Sequence, residues 1–112
     1  MLRKNYEFRN VLSKGKYYSG KYVEAFIKKN AKKENFIGIA IGVKIAKAVR
    51  RNHIKRLLRE CYQITENQIK DGYSIVFLWK KGVSIENAKY TLIAEDMNYI
   101  FDKANLKVKN KD

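Results

Sequence analysis

Residues 36–60 read FIGIAIGVKIAKAVRRNHIKRLLRE. The opening part alternates, with Ile37, Ile39 and Ile41 on one face of an extended chain and Gly38, Ala40 and Gly42 on the other. A strand with a bulky core face is predicted over 36–43. Its small face leaves the backbone open to close approach, by a helix packed tightly over it or by a ligand, and one does not exclude the other. From Lys47 the period becomes helical. Ile54, Leu57, Leu58 and Cys61 follow i, i+3, i+4, i+7, which predicts a buried stripe on a helix running to about Ile64.

The rest of that helix is cationic. Lys44, Lys47, Arg50, Arg51, Lys55, Arg56 and Arg59 are the seven bases of residues 44–60, whose only acid is Glu60, and residues 35–59 contain no acid. Arg51, Lys55 and Arg59 form an i, i+4, i+8 row, with Asn52 and Arg56 in a second row beside it. A merely solvated face usually mixes Glu with Lys at these spacings. A like-charged row repels itself, and a polyanion relieves that repulsion.

The whole chain carries the same bias. Its 112 residues hold 25 Lys and Arg against 11 Asp and Glu, a net charge of +14. Such an excess points to nucleic acid or to an anionic membrane, because each neutralised phosphate releases counterions. The membrane is the weaker option: no stretch approaches 18 consecutive apolar residues, and the start, MLRKNYEFRN, lacks the apolar run of a signal peptide. A cytoplasmic protein is expected. Cys61 is the only cysteine. It has no partner for a disulfide or a zinc site and reads as a small core residue. His53, the only histidine, has no relay partner at a catalytic spacing and reads as an RNA-facing or simply exposed side chain. No paired carboxylates or metal-ligand cluster suit two-metal phosphodiester cleavage, which disfavours a stand-alone nuclease.

Outward from the centre, residues 3–14 are predicted to form a first helix ended by Gly15, with Phe8 and Leu12 sharing a face. Tyr17, Tyr18 and Ser19 read as a brief strand before a bend at Gly20. Residues 21–28 alternate Val23, Ala25 and Ile27 against Tyr22, Glu24, Phe26 and Lys28, so one face is core and the other mixes aromatics with charge. Residues 73–79, YSIVFLW, read as a strand buried on both faces. Ser84 is predicted to cap a last helix ending near Ala104, with Ile93, Met97, Ile100, Phe101 and Ala104 as its apolar stripe. Residues 105–112 are expected to fray. The result is one α+β RNA-binding domain over 1–112, a sandwich in the order α-β-β-β-α-β-α. Its mixed sheet has about four strands, and the basic helix crosses between two parallel ones. Such crossovers are usually right-handed.

The run Ala48, Arg51, Asn52, Lys55, Arg56 and Arg59, at these spacings, resembles the signature of the bacterial ribonuclease P protein subunit. Leu2-Arg3-Lys4, Phe8, Gly15 and Gly38 extend the resemblance over nearly the whole chain. The resemblance implies a subunit of the ribonucleoprotein that removes the 5′ leader of precursor tRNA. It also implies that the partner RNA carries the magnesium-dependent catalysis, so that no catalytic or metal-binding residue lies in the protein. It further implies a left-handed crossover, against the general rule, and a monomer in a one-protein, one-RNA complex.

By position, Lys44, Lys47, Arg50, Arg51, Asn52, His53, Lys55, Arg56 and Arg59 would meet the ribonuclease P RNA. Phe8, Leu12, Tyr22, Phe26 and Ala40 would line the leader groove. The sequence departs from the family pattern at His53, where Arg or Lys is common, at Gly42 and Val43, often Ser and Lys, and at Glu24 in the groove. The alternative is a ribosomal or other RNA-binding structural protein.

Overall fold

The computed structural model describes residues 5–108. The chain runs α1 (Asn5–Lys14), β1 (Lys16–Ser19), β2 (Val23–Lys29), β3 (Phe36–Ala40), α2 (Ala48–Thr65), β4 (Tyr73–Trp79) and α3 (Tyr90–Lys103). Short 3-10 turns occupy Glu66–Gln68 and Ile85–Asn87. The sheet order is β1-β2-β4-β3. β1 with β2 and β2 with β4 are antiparallel, while β3 and β4 are parallel and joined through α2. The predicted α+β order is therefore the observed one. β4 lies in the interior of the sheet, and from Ile75 to Trp79 it is apolar on both faces.

The two faces of the sheet are covered differently. One presents Val23, Ala25, Ile27, Ile37, Ile39, Ile75, Phe77 and Trp79, all buried against Ile54, Leu58 and Cys61 of α2 and Ile93, Met97, Ile100 and Phe101 of α3. Tyr62, Phe77 and Phe101 join strand and helices through tilted and edge-on ring contacts with centroids 6.1–6.4 Å apart. The other face carries only α1, whose Val11 buries against Val76, with Phe8, Leu12, Phe26, Phe36 and Leu78 half-buried around them. The apolar stripes read from the sequence thus account for the main core, and the second face is left partly open.

A buried carboxylate ties the layers together. Asp96 of α3 accepts hydrogen bonds from the backbone N–H groups of Lys21, Tyr22 and Val23 at 2.8, 2.7 and 2.8 Å. Bonds to an ionised acceptor are the stronger kind, and here they satisfy donors in the β1–β2 turn that would otherwise be orphaned. Gly20 is glycine for the same reason: a Cβ there would stand 2.5 Å from the Asp96 carboxyl carbon.

Three expectations are corrected. The third strand ends at Ala40 rather than at residue 43, although Ile41 stays buried. Ser84 does cap, accepting from the Glu86 N–H at 3.2 Å, but what it opens is the 3-10 turn, and the helix starts only at Tyr90. A cap satisfies the donors of the next turn, and Ala88, at φ −78° and ψ 78°, breaks the helical path before it can propagate.

The stretch 105–108, expected to fray, is docked. Asn105 takes a left-handed φ of 58°, Leu106 N–H donates to the Phe101 carbonyl at 2.9 Å and Asn105 N–H to that of Asp102 at 3.1 Å. This is a Schellman ending with Asn in place of Gly. It turns the chain back so that Leu106 is buried and Lys107 pairs with Ile69. Residues 1–4 and 109–112, including Leu2, Arg3 and Lys4, lie outside the described residues.

Candidate nucleic-acid interface

α2 buries Ile54, Leu58, Cys61, Tyr62 and Thr65 along its inner arc, with Leu57 half-buried beside them. A rotation of 100° per residue then sets Asn52, Arg56 and Arg59 on the outer arc, and all three are exposed, as are Arg50 and His53. Arg51 and Lys55 sit on the shoulder and are half-buried. The Arg51-Lys55-Arg59 row thus runs beside the buried stripe, as expected, and the centre of the exposed face is formed by Asn52, Arg56 and Arg59. Arg51 also has an internal partner, its Nη1 donating to the Ala46 carbonyl at 2.8 Å. That bond braces the loop entering α2, whose N-cap Lys47 offers no side-chain cap. Lys44 and Lys47 are exposed on this same loop. No acid lies in the first turn of α2, so nothing local offsets the cations there.

The α1 face of the sheet is the second surface. Register places Tyr17, Phe26, Val76 and Gly38 in one row across the four strands, and Glu24, Leu78 and Ala40 in the next. The Phe8 ring stands on Gly38, where a Cβ would come within 2.6 Å of it. Ala40 is half-exposed. It lines an open cleft of about 920 Å³ together with Glu24, Leu78, Gly42, Lys44 and Lys81. The small face is thus tightly packed by α1 at Gly38 and open from Ala40 onward.

Of the residues predicted for this groove, Phe8, Leu12 and Phe26 come together and Ala40 lies one row along. Tyr22 does not join them. It precedes β2 in the turn held by Asp96, packs on the main core and stacks on Trp79 with centroids 6.4 Å apart. The two-residue alternation fails there because Tyr22 is not yet strand.

The place is taken by Tyr17, which sequence reasoning missed. Its ring lies 5.2 Å from that of Phe26, and its hydroxyl donates to Glu24 Oε2 at 2.6 Å. That hydrogen bond holds the Tyr17 phenol above its ordinary pKa, so the hydroxyl keeps its proton and goes on donating. The signal that could have found it is the hairpin bend at Gly20, which pairs Tyr17 with Phe26.

Among the described residues no group of three or more His, Cys, Asp or Glu side chains is placed to hold a metal ion. Burial pushes the Cys61 thiol up to about 11, with Glu60 adding to the shift, so this buried cysteine is a packing residue. No described helix is long and apolar enough to cross a membrane.

Residues 1–105 match the family model for Ribonuclease P. The chain belongs to the ribonuclease P protein family. The ribonuclease P protein component of Fusobacterium nucleatum is 38% identical over 107 residues, covering 94% of this chain and 96% of that protein. That of Clostridium perfringens is 32% identical over 117 residues, covering 98% and 92%. The solved ribonuclease P protein of Thermotoga maritima superposes with a TM-score of 0.80 at 27% identity, over 89% of this chain and 96% of that one. That of Staphylococcus aureus reaches 0.82 at 20% identity over 96% of each, a likeness of fold. The stretch from Ala48 to Arg59 lies within the matched residues, on a helix whose outer arc is cationic.

Proposed function

We propose that the two surfaces serve two RNAs within a ribonuclease P holoenzyme: the outer arc of α2 anchors the catalytic RNA, and the α1 groove takes the 5′ leader of precursor tRNA. The observation that carries this reading is their chemical contrast on opposite layers of one sheet. Arg56 and Arg59 stand exposed on a helix whose single acid is Glu60, an excess of cations that suits phosphates whatever the base sequence. Asn52, between them on the same arc, offers an amide that can orient against either RNA backbone or base. Phe8, Leu12, Phe26 and Tyr17 offer ring and aliphatic faces, which suit unpaired bases, each stack being worth about 1–3 kcal/mol with little regard to base identity.

The chain's part in the reaction is binding and orientation. The absence of a carboxylate cluster among the described residues gives the protein no donor set for a catalytic magnesium pair, so no chemical step is assigned to it. The hydrolysis, with its magnesium ions, belongs in this reading to the partner RNA, one protein to one RNA. By holding the leader, the protein raises substrate affinity through contacts that mature tRNA lacks, and product tRNA is released more readily than precursor.

Reconstitution tests this. The purified protein alone leaves precursor tRNA intact, and adding it to the ribonuclease P RNA of the same organism stimulates cleavage at low magnesium. Cleavage by protein without RNA, or no stimulation at any magnesium concentration, would refute the reading.

A further inference from the structure

Glu24 is out of place in a surface built for RNA. It is half-buried at the junction of the aromatic row and the open cleft, and it is the one acid among the residues lining that cleft. A phosphate passing over it would be repelled. The cations of the cleft, Lys44 and Lys81, belong to the loops at its rim, after β3 and after β4. A single strand entering here is driven to put its phosphates toward the lysines and a base edge toward Glu24. The carboxylate is also fixed in place, because Tyr17, itself packed on Phe26, donates to Oε2 at 2.6 Å. An ionised carboxylate has about four lone-pair sites and no donor, so the Tyr17 bond leaves most of its accepting capacity for a ligand.

We propose that Glu24 is a base-selecting residue of the groove, accepting hydrogen bonds from the Watson–Crick edge of one unpaired leader base and favouring guanine. Unpaired bases are read on that edge. Guanine presents two adjacent donors there, N1–H and the N2 amine, matching the two carboxylate oxygens. Adenine and cytosine each present one amine beside a ring nitrogen that repels the carboxylate. Uracil presents one N–H between two carbonyl oxygens and is the poorest fit. The Tyr17 and Phe26 rings would stack the neighbouring base and hold the selected one in register over the row Glu24, Leu78 and Ala40.

This inference rests on the groove being the leader site, and the test separates the two. Precursor tRNAs with each of the four bases at each leader position, and the mature tRNA, are titrated against holoenzymes carrying wild-type protein, Glu24→Gln and Glu24→Ala. The expected result is one leader position at which guanosine binds on the order of tenfold more tightly than uridine, the discrimination a bidentate base contact supplies. Glu24→Gln, which keeps the acceptor for Tyr17 but loses the second accepting oxygen, shrinks that ratio to about twofold, and Glu24→Ala abolishes it. If leader-bearing substrate binds better than mature tRNA but no position prefers guanosine, or if both variants keep the wild-type preference, the role of Glu24 is wrong and the groove assignment stands. If leader and mature substrates bind alike, the groove assignment fails first.

Discussion

In the proposed reading, the outer arc of α2 and the α1 groove meet nucleic acid by opposite means. The helix offers charge without shape: Arg56 and Arg59 project from its outer arc, exposed. The groove offers shape first: half-buried rings and aliphatic groups line it, its acid, Glu24, has the wrong sign for a phosphate, and its cations Lys44 and Lys81 stand at the rim. Charge on a convex face is screened by salt and indifferent to sequence. Rings in a concavity are insensitive to salt and act only on bases freed from pairing. The two surfaces should therefore be separable by salt, by substrate and by substitution.

Asp96→Ala gives the largest effect, because it orphans three backbone donors in the β1–β2 turn, at a cost of about 3–5 kcal/mol in urea unfolding. In conditions where the variant stays folded, leader-dependent affinity suffers more than affinity for the catalytic RNA, since that turn carries Tyr17 and Glu24 on its two flanks. The double change Arg56→Ala with Arg59→Ala comes next. It lowers affinity for the catalytic RNA roughly 10- to 100-fold and reduces the slope of log K against log salt by about 2.

Phe26→Ala costs leader-bearing substrate about 1–3 kcal/mol, leaves mature tRNA unchanged, and leaves the salt slope as it was. An equal loss on both substrates would erase the distinction drawn here. Arg51→Ala is the smallest of the four. It removes the bond to the Ala46 carbonyl, so it lowers folding stability by about 1–2 kcal/mol, and its effect on RNA affinity falls below that of Arg56→Ala.

Much of this was legible in the residues. The alternations Val23, Ala25, Ile27 and Ile37, Ile39, Ile41, and the helical stripe Ile54, Leu58, Cys61, each name a buried face directly, because burial repeats with the geometry of the element. The cationic helix was equally plain. What the sequence does not display is pairing over distance. Tyr17 reaches the groove through hairpin register, and Asp96 meets residues 73 to 75 positions away. Tyr22 fell outside the aromatic row for a related reason: a period says which face a residue is on only while the element lasts, and it does not show that a long side chain such as Arg51 also bonds its own loop. Leu106 was buried by an Asn acting as a helix terminator, a weaker signal than the Gly usually looked for.

The Asp96 clamp also bears on the order in which the chain is made. During synthesis the β1–β2 hairpin emerges long before the partners that complete it: β4, which covers the inner edge of β2, and then α3, which delivers the carboxylate to the turn. Until then a nascent chain exposes an unpaired strand edge, which invites mispairing. A fixed groove should therefore be acquired only once α3 is in place, and a polypeptide stopped before residue 96 should behave as an aggregation-prone fragment rather than as a smaller folded domain.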